Sequence, residues 1–123
     1  MPESFERGAL TEAVFYILLS VHEPMHGYAI MQNIEKLTAG RVVLGAGTLY
    51  GAINALVQKG WIASVAVTDE KDSRKKEYLI TEAGRAVFRS ELGRLGELLR
   101  DGKAADKKEQ EKEREKHDDE AGI

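Results

Sequence analysis

A chain of 123 residues, 42% hydrophobic and 32% charged, has room for one small domain and little more. It holds no cysteine, which excludes a disulfide framework, a thiolate zinc site and a thiol nucleophile. The net charge is −3, but of 18 Lys/Arg and 21 Asp/Glu, residues 101–123 hold six and nine, so the first 100 residues are neutral and any footprint for a polyanion must be a local patch.

The charged start Met1-Pro2-Glu3-Ser4-Phe5-Glu6-Arg7 leads into no signal-type apolar run, and Ala13 to Val21 is too short to span a membrane. A soluble, cytoplasmic protein with no membrane partner is expected. The spacing predicts a first helix over 9–21, with Leu10, Val14, Ile17, Leu18 and Val21 on one stripe. Phe15, Tyr16 and Leu19 widen the stripe beyond what one core needs, as in a helix buried on two sides. Glu23-Pro24-Met25 ends it, since proline breaks the hydrogen-bond ladder. His22-Glu23-Pro24-Met25-His26 matches a zinc-protease string, but that chemistry needs both histidines on one helical turn, which Pro24 disrupts. No metal or cofactor is expected.

A second helix opens at His26-Gly27-Tyr28, with Ala29, Ile30, Ile34 and Leu37 inward and Tyr28, Gln32 and Glu35 near the surface. Thr38-Ala39-Gly40 stops it, with Gly40 suited to a left-handed C-cap. The third helix runs from Ala46 to about Lys59. Leu49, Ile53, Leu56 and Val57 face one way, while Gly47, Gly51, Asn54 and Gln58 form a small, polar, unobstructed face. Such a helix can be packed on one side and pressed into a groove on the other.

Ile62 to Thr68 and Lys75 to Ile80 read as a hairpin around the polar turn Asp69-Glu70-Lys71-Asp72-Ser73. Arg74, Lys75 and Lys76 follow in succession at its tip and suit phosphate contacts, which add affinity without sequence information. Thr81 is placed to cap a fourth helix to about Arg100, whose seam Phe88, Leu92, Leu95, Leu99 has the 4-3-4 spacing of a coiled coil. Residues 101–123 have no apolar stripe and read as a charged, disordered tail, in which Lys/Glu pairs at i, i+4 allow transient helix.

The fold class expected is mainly α with a small β hairpin. It comprises a winged helix-turn-helix over 1–80, a dimerisation helix over 81–100 and the tail over 101–123. The order points to double-stranded DNA as partner. Base contacts fall to Thr48, Tyr50, Asn54 and the backbone near Gly47 and Gly51, with Tyr28 and Gln32 alongside. No P-loop, nucleophile elbow or Ser/His/Asp set is present, so no catalytic residue is assigned and an enzyme is not expected. A winged-helix module that binds protein instead of DNA is the alternative. It would call for an apolar outer face, where this helix carries Gly47, Gly51, Asn54 and Gln58.

His26-Gly27-Tyr28-Ala29-Ile30, Gly47-Thr48-Leu49-Tyr50, Leu56-Val57-Gln58-Lys59-Gly60-Trp61-Ile62 and Arg74-Lys75-Lys76-Glu77-Tyr78-Leu79-Ile80-Thr81-Glu82-Ala83-Gly84 together closely resemble the PadR family of transcriptional regulators. The resemblance covers about residues 8–95 and is closest to the short form with a single dimerisation helix. It implies a homodimeric repressor on an inverted repeat, paired through its first and last helices. It also implies release by a small aromatic or drug-like effector. Leu10, Val14, Phe15, Leu18, Phe88, Leu92, Leu95 and Leu99 would line the interface and any effector pocket. The chain departs from the family at Gly45-Ala46, where a Ser-Pro helix start is usual, and at Glu77, where an aromatic is common. A third departure is Gly93 and Gly96 without a Trp at the dimer centre.

Overall fold

The computed structural model describes residues 8–65 and 76–121, with side chains to His117. Among them are α1 (Glu12–Ser20), β1 (Met25–His26), α2 (Gly27–Leu37), α3 (Ala46–Gln58), β2 (Ile62–Val65), β3 (Glu77–Ile80) and α4 (Glu82–Ala121). The chain divides into two compact units, residues 1–91 and 92–123.

In the first unit, α1, α2 and α3 bury one stripe each. Ile17, Leu18, Val21, Ile30, Ile34, Leu49, Ile53 and Ile62 are fully buried together, each side chain contributing about 1.5–3 kcal/mol. A satisfied polar link crosses this core: Ser20 Oγ donates to the Tyr16 carbonyl at 2.8 Å and accepts from Asn33 Nδ2 at 2.9 Å. The expected faces hold with two exceptions, since Leu37 and Val57 are exposed. Leu37 ends α2, and Val57 follows the buried Leu56 by one residue, about 100° of helical turn away from it.

α1 starts later than the apolar spacing predicts. Thr11 accepts from the Val14 N–H at 3.2 Å and caps the helix, so Leu10 lies before it. That segment is held instead by Glu91, whose buried carboxylate accepts the Leu10 N–H at 3.1 Å.

α2 begins at the expected Gly27, capped by His26, whose Nδ1 accepts the Ala29 N–H at 3.2 Å. His22 Nδ1 donates to the Leu18 carbonyl at 2.9 Å. Both rings of the zinc-protease string are thus engaged by backbone. The α2 C-terminus forms a Schellman motif, with Gly40 N–H on the Glu35 carbonyl and Ala39 N–H on that of Lys36. The left-handed position directly after the cap is therefore Ala39 (φ 51°), one residue before the expected Gly40, which is also left-handed at φ 82°.

The hairpin belongs to a three-stranded antiparallel sheet of order β1-β3-β2, in which Met25 pairs with Tyr78 and Ile62 with Ile80. β1 has no apolar alternation to announce it; two extended residues after Pro24 pair with the free edge of β3. Residues 66–75 lie outside the described residues, and with them the hairpin turn, Arg74 and Lys75.

Thr81 caps α4, its Oγ1 accepting from Gly84 N–H at 3.1 Å and donating to the Gly60 carbonyl. Gly84 is required there, because a Cβ would strike the Trp61 carbonyl oxygen. Past Arg100 the structure corrects the expected disordered tail: the helix continues to Ala121. Lys, Glu, Gln and Ala are strong helix formers, and Glu109–Lys112, Glu111–Arg114 and Glu113–Lys116 are opposite charges at i, i+3. In the second unit, Leu92, Leu95, Leu98 and Leu99 are 39–59% exposed.

Candidate nucleic-acid interface

The third helix is fixed from below and bare above. Leu49, Ile53 and Leu56 anchor it in the core. Gly47, Thr48, Gly51, Asn54 and Gln58 are exposed on its other side. A Cβ at Gly47 or at Gly51 would meet nothing within 4 Å. The domain's own packing therefore does not call for glycine at either site, although each costs a helix about 1 kcal/mol relative to alanine. An open face kept free of side chains is what close approach by another molecule needs.

The N-terminus of this helix is weakly made. Gly45 occupies the cap position and offers no side-chain hydrogen bond, and no acidic residue sits in the first turn. The C-terminus is well closed by a Schellman motif on Gly60 (φ 77°). Lys59 Nζ lies 4.7 Å from the centre of the Trp61 ring, a cation–π contact.

Tyr50 is 43% exposed, and its ring lies against the backbone of Gly27 at the start of α2. Tyr78, buried on β3, is near enough to matter. Burial first, then the Tyr50 charge, push the Tyr78 phenol above its ordinary range. Tyr28 and Gln32 are exposed on the outer side of α2, where with Met31, Glu35, Lys36, Ala39 and Gly40 they line an open groove of about 640 Å³. Lys76 is exposed just before β3.

The turn from α2 to α3 is braced twice. Thr38 Oγ1 accepts the Val42 N–H at 3.0 Å. Arg41 makes a bidentate pair with Glu12 at 3.0 and 2.8 Å. Hydrogen bonding to Arg41 holds the Glu12 carboxyl below the usual carboxylate range. Neither Gly27 nor Arg41 stood out in the sequence as a site residue. The one available signal was a glycine inside the first turn of a helix, where alanine is intrinsically favoured.

The residues expected at a dimer interface separate. Leu18 is fully buried in this chain's own core and cannot reach a partner. Leu10 and Val14 are half-buried against the same core. Phe15 stacks on Phe88 with centroids 4.9 Å apart, and His22 meets Phe88 edge-on at 4.7 Å. No open slot therefore lies between those two rings in the single chain. Leu92, Leu95 and Leu99 remain exposed.

Three helices, the third bared for a groove, and a small sheet beside them define a winged helix-turn-helix. The sequence profile described as "Transcriptional regulator PadR-like family" matches residues 15–90. This chain belongs to that family of transcriptional regulators. A PadR family transcriptional regulator from Eggerthella lenta is similar at 27% identity and a TM-score of 0.60, covering 75% of this chain and 78% of that one. A PadR-like transcription factor from Bacteroides fragilis shares the fold at a TM-score of 0.65 and 22% identity, over 84% of this chain and 95% of that one. An uncharacterised protein of transposon TN4556 from Streptomyces fradiae is 35% identical over 75 residues, 61% of this chain. The matched segment spans 20% of that relative's length. Among the described residues no helix is long and apolar enough to cross a membrane.

Proposed function

We propose that this protein is a homodimeric repressor that binds an inverted repeat in double-stranded DNA. α3 enters the major groove by its N-terminal half. Thr48 and Tyr50 meet the backbone and Asn54 faces bases, where a bidentate contact to adenine N6 and N7 is available to it. Lys76, with Arg74 and Lys75, supplies phosphate contacts from the wing, and Tyr28 and Gln32 flank the groove. The observation that carries this reading is the open space above Gly47 and Gly51 on a helix whose opposite side is fully buried. Family membership supports it independently.

The second copy covers Leu92, Leu95 and Leu99, which would otherwise stand in water. Two recognition helices related by a two-fold axis address half-sites about one helical turn, ~10 bp, apart or a multiple of it. Relief by a small aromatic or drug-like effector, in the cytoplasm, belongs to the same reading and rests on family membership. Selection of bound duplexes from a random pool tests it. Recovery of an inverted repeat is expected, and recovery of no common sequence would contradict sequence-specific recognition.

A further inference from the structure

We propose that Gly27 is a positioning residue for DNA recognition, acting through Tyr50; the inference rests on α3 being the DNA-reading helix. The first turn of α3 is held in the core by Leu49 but has no side-chain cap. Its cap is Gly45, without a side-chain hydrogen bond, and Gly47 adds no packing. The first turn of α2 is the opposite. It is capped by His26 Nδ1, and the two residues before it pair with β3 as a strand. Tyr50, the residue that follows this uncapped turn, joins α3 to the capped turn of α2. A Cβ built on Gly27 would stand 2.6 Å from Cε1 and Cζ of the Tyr50 ring and would also collide with its hydroxyl.

Only glycine lets that ring rest on the α2 backbone. Tyr78, buried on the neighbouring strand, is close enough for its phenol to respond to the Tyr50 charge. The contact fixes one tyrosine rotamer and with it the start of the recognition helix, before any DNA arrives. Affinity gained this way comes from order already present in the free protein.

The test uses the full chain with Gly27→Ala, Tyr50→Ala and the double variant. Because Tyr50 is half-exposed, the added methyl should swing its ring into solvent and leave the core intact. If Gly27→Ala lowers the melting temperature, the Tyr50→Ala background, where the methyl has room, should restore it. In the free protein, Gly27→Ala should shift the Tyr50 ring resonances and speed amide exchange at residues 49–51. On a duplex selected by the parent, it should weaken binding about tenfold, the scale of one hydrogen bond to a charged group. In the Tyr50→Ala background it should cost nothing further. Unchanged ring resonances and exchange, or losses that add in the double variant, would overturn the proposal. A ring that moves while every variant keeps the parent's affinity would overturn the DNA role of the contact. A parent that selects no duplex would instead sink the functional reading, and the measurements without DNA separate that case.

Discussion

Phe15 and Phe88 stack within one chain, their ring planes 21° from parallel and their centroids 4.9 Å apart. The pair ties α1 to the first turns of α4, and His22 closes the cluster edge-on against Phe88. Aromatic pairs of this geometry add stability beyond the area they bury. Phe88→Ala should therefore destabilise the single fold by about 2 kcal/mol, below the range for fully buried phenylalanines because the ring is only half-buried. Denaturant unfolding measures it, and a loss confined to self-association would place the pair at an interface instead.

Leu92 and Leu95 stand exposed in the second unit, one helical turn apart. Replacing both with Glu should give monomers, since like charges would be buried face to face in the pair. Sedimentation velocity showing an unchanged dimer would move the interface to another surface.

Ala39 holds a left-handed conformation that Gly40 shares at no steric cost. Ala39→Gly should raise stability by about 1 kcal/mol, the strain released being partly offset by entropy gained in the unfolded chain. Thermal melts check the sign, and a lower melting temperature would mean that the alanine methyl makes contacts worth more than its strain.

Tyr78 is a buried phenol whose proton is held more tightly in the folded state. Its contribution is fully present below about pH 10, the ordinary phenol value, and is lost as pH rises through the higher folded value. Stability of the parent should fall more steeply above pH 10 than that of Tyr78→Phe. Parallel stability curves in that range would contradict the assignment.

The three core stripes, the Thr81 cap and the bared face of α3 were legible because periodicity encodes them directly. Leu37 and Val57 misled for different physical reasons: Leu37 is the last residue of α2, and Val57 sits at the edge of the apolar stripe, turned about 100° from the buried Leu56. β1 was hidden because two residues carry no period, and their extended form comes from the partner strand. The Gly27–Tyr50 contact joins residues 23 apart in sequence and needs the fold to be seen. The resemblance implies an interface role for Leu18, whereas its place on the stripe of Leu10, Val14, Ile17 and Val21 is a core position. The helix beyond Arg100 reflects propensity and paired charges, from which the sequence shows that helix can form there but not that it persists.

Asn54 is the side chain through which the outer face of α3 would read bases. Fluorescence anisotropy should compare parent and Asn54→Ala on a duplex selected by the parent and on the same bases scrambled. Asn54→Ala should lose about 1–3 kcal/mol on the selected duplex, the value of one bidentate base contact, with little change on the scrambled one. Equal binding of parent and variant to both duplexes would contradict it and would favour a winged-helix module that docks on protein.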